Sequence, residues 1–161
     1  YQAGGRLITA PDGSTRTGFT EIGAVSTTRG GTTHIEEGNT DPPLRAIFIE
    51  LKLETASGLP ALPSGAPAAF PRPGAKQLLD TERVALWDYA WASGAAAFTY
   101  RSPHDAVVVW LSQGRLRVTP EAGSATVIDA RPGQIRYLTR GTTETIELLA
   151  GTPRAFVFEL K

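Results

Sequence analysis

The sequence predicts an all-β protein, and three observations support that class. Apolar and polar residues alternate over short segments such as Arg83 to Trp91, which is the pattern of a strand with one buried face. Glycine and proline residues separate these segments. No long segment has the apolar period of a helix. We therefore predict about eight short strands in the second half of the chain, forming a closed double-sheet jelly-roll barrel.

The second half contains the clearer strand pattern. A short helical turn is predicted for residues 77–82, before the first strand. The predicted strands, each bounded by turn residues, cover 83–91, 95–102, 106–111, 115–119, 124–130, 134–138, 145–149 and 155–160.

The composition limits the classes of function. The chain has 161 residues, of which 41% are hydrophobic, and 16 basic residues balance 16 acidic ones. We therefore expect neither nucleic acid nor an anionic membrane as a partner. No apolar run is long enough to span a bilayer, so a soluble protein of the cytoplasm or periplasm is expected. The absence of cysteine excludes disulfides and thiolate chemistry and leaves the compartment open.

The two ends of the chain resemble each other. Arg45–Lys52 reads RAIFIELK and Arg154–Lys161 reads RAFVFELK, an offset of 109 positions between Lys52 and Lys161. Gly5-Arg6-Leu7 matches Gly114-Arg115-Leu116 at the same offset. A nearly constant offset over separate blocks indicates a tandem repeat.

The repeat and the composition divide the chain into three parts. Residues 1–52 form a degenerate half-unit whose first strands would lie before Tyr1, residues 53–76 form a proline-rich linker, and residues 77–161 form a complete barrel. The last predicted strand of the half-unit, Arg45 to Leu51, is apolar on both faces. We therefore expect a homodimer whose interface involves residues before Lys52.

Two stretches of the second half resemble the motifs of the cupin superfamily, G-x5-H-x-H-x3–4-E-x6-G and G-x5-P-x-G-x2-H-x3-N. The resemblance covers about Phe70 to Lys161 and is closest to small, uncharacterised bacterial cupins. It implies a cupin-like double-stranded β-helix, a jelly-roll barrel around a lumen. The framework glycines of both motifs are present as Gly94, Gly114, Gly133 and Gly141.

Other residues occupy the metal-ligand positions of these motifs. Tyr100 and Ser102 stand at the two histidine positions, and Val107 stands at the glutamate position, which the resemblance places in the lumen. In the second motif, Glu144 stands at the histidine position. One carboxylate without an imidazole does not hold a transition metal firmly, so we expect no metal cofactor here.

Two histidines remain to be placed. His34 has the ligand spacing of the second motif in the first unit, which makes it a weak metal candidate. The alternative, which we favour, is an orphaned former ligand at the surface or rim. His104 has the wrong spacing for either histidine of the first motif, so we expect it in a loop at the barrel mouth.

Glu144 is the best candidate for chemistry. In a lumen beside Tyr100 and Ser102, burial could raise its pKa and make it an acid or a base. The alternative is a hydrogen-bonded carboxylate at the end of a strand. The predicted ligand-pocket residues are Tyr100, Ser102, Val107, Arg136 and Glu144.

Aromatic and basic residues nearby have two interpretations each. Trp87, Tyr89 and Trp91 alternate on one strand face, where they could stack on a ligand or pack one sheet on another. Arg136 and Arg140 could bind an anionic ligand or remain solvated.

The sequence leaves the function open between two classes. The first hypothesis is a metal-free small-ligand-binding or assembly module, which the missing metal ligands favour. The second is an enzyme, either a metal-free isomerase or epimerase using Glu144 with Tyr100, or a metal-dependent oxygenase using His34.

Overall fold

The computed structural model describes residues 1–28, 30–51 and 65–161, in two compact units, Tyr1–Ile49 and Glu50–Lys161. These described residues contain strands and no helix, so the predicted all-β class is confirmed. Accordingly, this part of the chain has no helix long and apolar enough to cross a membrane.

The first unit is a three-stranded antiparallel sheet with β1 at its centre, in the order β2-β1-β3. Its strands are β1 (Gly4–Thr9), β2 (Thr15–Thr20) and β3 (Ile35–Gly38). The strand predicted for Arg45 to Leu51 is wrong, because only Arg45 pairs, in an isolated bridge with Gln2. The central strand β1 is instead paired on both sides, by β2 and β3.

The second unit contains nine strands among its described residues. They are β4 (Lys76–Asp80), β5 (Val84–Ala90), β6 (Phe98–Arg101), β7 (Asp105–Trp110), β8 (Gly114–Pro120), β9 (Thr126–Ala130), β10 (Ile135–Leu138), β11 (Thr143–Gly151) and β12 (Arg154–Leu160). The helical turn predicted for residues 77–82 is wrong. These residues pair with β5, Leu79 lying opposite Leu86, because the edge of β5 satisfies their backbone groups better than a single turn does.

The strand order of the second unit is that of a jelly roll. One sheet has the order β10-β7-β12-β5-β4, and the other has the order β6-β11-β8-β9. The antiparallel pairs β5–β12, β6–β11, β7–β10 and β8–β9 are nested like the two arms of one long folded hairpin. That nesting across two sheets is the jelly-roll arrangement.

The predicted closure into a barrel is not observed. Among the described strands, no hydrogen-bonded pair joins the two sheets. The edge of β5 is occupied by β4, and the edge of β6 is occupied by Pro67–Ala69, where the Arg101 amide donates to the Pro67 carbonyl at 2.7 Å. On this side of the sandwich, other segments thus occupy the edges of β5 and β6, and the two sheets do not join there.

The core of the second unit lies between the two sheets. Alternation on β5 and β7 turns Ala85 and Trp87, and Ala106 and Val108, toward it. Leu116 is fully buried there. Burial of a side chain such as Val108 or Leu116 contributes on the order of 1.5–3 kcal/mol by leaving water.

The structure explains why two of the motif positions are occupied by glycine. Gly141 has a φ of +86°, which is favourable only without a side chain. A Cβ at Gly114 would overlap the ring of Pro153. At these two positions, backbone conformation and close packing therefore explain the glycines of the motifs.

The first unit repeats part of the strand pairing of the second. Arg6 lies opposite Gly18 on β2 and Gly38 on β3, and Leu116 lies opposite Ile128 on β9 and Leu148 on β11. Corresponding paired residues in the two units are a constant 110 positions apart in the sequence. The similar sequence blocks at β1 and β8 are instead offset by 109 positions. The shared registers are those that a repeat requires, and the tandem repeat itself remains a prediction.

Candidate functional site

A small cavity lies between the sheets of the second unit. Segment 69–72 and strands β6, β7, β10, β11 and β12 line it. Its free volume is about 20 Å³, which is room for roughly one water molecule. A larger ligand must therefore bind at the mouth or move side chains.

A buried ion pair stands beside this cavity. The Glu144 side chain is 1% exposed, and Arg136 Nη1 donates to its Oε1 at 2.7 Å while Nη2 donates to its Oε2. The Tyr100 hydroxyl also donates to Oε1, because the β6–β11 register places Tyr100 opposite Glu144. Both oxygens of the carboxylate are thus engaged. We call these three side chains the Glu144 cluster.

The protonation of the Glu144 cluster follows from its surroundings. Burial, and then the charge of Glu144, raise the pKa of Tyr100 far above its usual value. Burial alone would lower the pKa of Arg136, but its hydrogen bonds to Glu144 and the charge of that carboxylate outweigh this and raise it. Tyr100 therefore keeps its proton and Arg136 keeps its charge at neutral pH.

The two remaining predicted pocket residues differ in placement. Ser102 lines the cavity, and its Oγ donates to the His104 carbonyl at 2.7 Å. The prediction that Val107 is buried in the lumen is wrong. Val107 is only half-buried, and its neighbours Ala106 and Val108 line the cavity. The valine run of β7 has no polar alternation that could have fixed which face points inward.

The two histidines lie outside the cavity. In the first unit, His34 Nε2 is 2.9 Å from Glu36 Oε1, which also accepts from Arg6. In the second, His104 is half-buried between β6 and β7, and burial, followed by the charges of Lys161 and Arg140, lowers its pKa. The described residues include no group of three or more histidine, aspartate or glutamate side chains that could hold a metal ion.

The sequence did not single out Arg72, which the structure places at the cavity. Its guanidinium carbon is 3.8 Å from the ring centre of Tyr89 and 4.6 Å from that of Phe70. Three more rings lie within 5.8 Å. We call the five rings the ring cage: Phe70, Tyr89, Trp91, Phe98 and Tyr100.

The ring cage bears on both interpretations of the aromatic stripe. Tyr89 and Trp91 face Arg72, and Trp87 stacks on Phe70 with 5.2 Å between ring centres. All four rings pack in or against the core, and Phe70 and Trp91 also line the cavity. Arg140 follows β10 instead, where its Nε donates to the Pro103 carbonyl at 3.2 Å.

Glu159 is a second cavity residue that sequence reasoning missed. It is 5% exposed, and its Oε2 accepts from Trp87 Nε1 at 2.7 Å. Its Oε1 is buried without a hydrogen-bond partner. Burial raises the pKa of Glu159, although Trp87 and Lys161 act in the opposite direction. Its place on an alternating apolar strand is the signal that could have identified it.

Several solved structures of other proteins are similar to part of this chain. A cupin domain from Bordetella pertussis is 26% identical over 58% of this chain and 99% of its own, with a TM-score of 0.46. An RmlC-like cupin with a double-stranded β-helix fold, from Methanocaldococcus jannaschii, is 13% identical over 71% and 93%, with a TM-score of 0.47. A cupin superfamily protein from Desulfitobacterium hafniense is 17% identical over 53% and 74%, with a TM-score of 0.43. No family model and no curated protein matches the chain.

The fold can be assigned from the strands of this chain. Its two sheets carry the jelly-roll order, and the motif glycines occupy turns and close approaches of that fold. The jelly-roll strand order predicted from the sequence is thus present, in two sheets that do not close into a barrel.

Proposed function

We propose that the second unit is a metal-free domain that binds a small organic ligand at the cavity between its sheets. The observation that carries this proposal is a cavity lined by the rings of Phe70, Trp91 and Tyr100. Beside it lies the Glu144 cluster, in which both carboxylate oxygens accept hydrogen bonds. Small-molecule sites are typically apolar and aromatic hollows with a few placed polar groups. Arg72, Ser102 and Glu159 are such groups on the cavity wall.

The contacts of Glu144 favour binding over the isomerase or epimerase alternative. A general base needs an oxygen that reaches the proton it removes. Both oxygens of Glu144 already accept hydrogen bonds, from Arg136 and Tyr100. Chemistry would first have to break a buried, charged pair, which costs several kcal/mol.

The contacts of His34 give the oxygenase alternative little support. Such a metal site needs several converging imidazole and carboxylate groups. His34 contacts Glu36 and, among the described residues, belongs to no metal-binding group.

Elemental analysis with a ligand titration tests the proposal. All three tryptophans, Trp87, Trp91 and Trp110, belong to the core of this unit, so their indole N–H signals report on the cavity. Small organic ligands should shift the Trp91 signal in a saturable way. Stoichiometric iron, manganese, nickel or zinc in protein purified without chelators would contradict a metal-free site.

A specific observation favours assembly as a second role. Five large apolar residues of the first unit are exposed: Phe19, Ile22, Val25, Ile35 and Phe48. Phe48 alone is 84% exposed. Exposed apolar residues on a sheet with open edges favour contact with another chain, and we propose a homodimer that uses residues before Lys52.

A further inference from the structure

Arg72 carries a charge that the described residues do not neutralise. The other buried or half-buried arginine at the cavity, Arg136, is fully engaged with Glu144. No carboxylate pairs with Arg72 in the described part of the chain, and its Nε is buried without a hydrogen-bond partner. A buried donor without an acceptor is energetically unfavourable, so a partner that supplied an acceptor would be stabilised by this contact.

The structure also holds Arg72 in place. Pro71 and Pro73 restrict the backbone on either side, and the Ala75 amide donates to the Arg72 carbonyl at 3.1 Å. On the other side, the Ala69 amide donates to the Arg101 carbonyl at 3.0 Å. The ring cage then surrounds the guanidinium. A group fixed before binding loses little entropy when a ligand arrives.

We propose that Arg72, held in the ring cage, receives the carboxylate of a small organic anion at the mouth of the cavity. This inference rests on the proposed ligand-binding function and names its ligand class. The fork of a guanidinium matches the two oxygens of a carboxylate. Arg136 fits this role less well, because the Glu144 carboxylate already balances its charge and accepts from both of its terminal nitrogens.

A cationic ligand fits the same observations less well. It would have to displace Arg72 from the ring cage, and a tethered group competes at an effective concentration in about the millimolar range. An anion uses Arg72 where it stands. Glu159 adds a polar group to the same cavity.

Probes of matched shape and different charge test the inference on the full chain. Acetate, acetamide and acetamidinium form one set, and benzoate, benzamide and benzamidinium form another, all at constant ionic strength. The readouts are the Arg72 Nε–H and Trp91 indole N–H signals in nitrogen-15 NMR spectra. We expect the carboxylates to shift both signals in a saturable way, the amides to bind more weakly, and the amidinium ions not to bind.

Two variants identify the residue responsible. Arg72→Gln should weaken carboxylate binding about tenfold or more, because a charged hydrogen-bond donor is lost. Arg115→Gln, which alters a largely exposed arginine paired with Asp129 outside the cavity, should leave the affinity unchanged. Retained dispersion of the indole signals shows that each variant is folded.

The possible outcomes separate the inference from the proposed function. Equal binding of amide and carboxylate, or an unchanged carboxylate affinity in Arg72→Gln, would overturn the anion assignment and leave ligand binding standing. Preferential binding of the amidinium ions would overturn it in favour of a cation site that Arg72 normally fills. If none of the six probes shifts the Arg72 or Trp91 signal, the anion assignment fails. The proposed ligand binding then also loses the support that this assignment would give it.

Discussion

Replacing Glu144 with glutamine should strongly destabilise the second unit. The side chain of Glu144 is 1% exposed and that of Arg136 is 25% exposed, so the variant leaves a guanidinium charge facing a neutral amide with little water nearby. Removing one partner of a buried pair costs about 3–5 kcal/mol. Because Arg136 keeps some contact with solvent, we expect a cost at or just below the lower end of that range, about 2–3 kcal/mol.

The expected change is large enough for a thermal unfolding assay. For a domain of this size, 1 kcal/mol shifts Tm by about 4–8 °C, so Glu144→Gln should lower Tm by roughly 10–20 °C. Circular dichroism or calorimetry at neutral pH measures the shift. A double variant that also carries Arg136→Met should lose less stability than the sum of the single variants, because no unpaired charge remains.

The same strand offers a matched control. Glu147 lies on β11 and accepts from Arg117 at 2.6 Å, but the two side chains are 43% and 46% exposed. Glu147→Gln should therefore change stability by less than about 1 kcal/mol. Equal Tm values for Glu144→Gln and Glu147→Gln would refute the reasoning that burial makes the Glu144 cluster structurally important.

Three further predictions concern packing, pH and assembly. Val108→Ala should cost roughly 1–3 kcal/mol in unfolding free energy and Val107→Ala clearly less, since Val108 lines the cavity and Val107 does not; the reverse order in denaturant melts would contradict the orientation of β7. Burial raises the pKa of Glu159, so the contribution of this side chain to stability is complete below its unfolded pKa and is lost as pH rises through its folded pKa. Glu159→Gln should flatten that decline in stability. An unchanged pH profile of stability in this variant would contradict the prediction. Light scattering should give twice the chain mass of 17.1 kDa, and a monodisperse monomer across micromolar concentrations would exclude the proposed dimer.

The sequence predicted the strands of the second unit well because alternation is a local signal. Each predicted strand from residue 83 onward has a counterpart in the structure. The facing of Val107 was not predictable, since three consecutive valines carry no alternation. The run Arg45 to Leu51 has a strand composition and still forms no strand, because strand formation depends on tertiary pairing as well as on composition.

The candidate site was only half predictable. Motif spacing identified Tyr100 and Glu144, which the β6–β11 register brings together. Arg72 lay within the predicted proline-rich linker, and nothing local indicates the ring cage. Its rings come from segment 69–72 and from strands or their ends that are distant in sequence, so only the folded sheets assemble it.

A high-resolution crystal structure of the full chain, purified without chelators, tests the central claim of a metal-free site most directly. We predict density for the Arg136 guanidinium forked on the Glu144 carboxylate, with the Tyr100 hydroxyl on the same carboxylate and no ion among Tyr100, Ser102 and Glu144. A metal ion bonded to two of these side chains at about 2.0–2.3 Å would contradict the account.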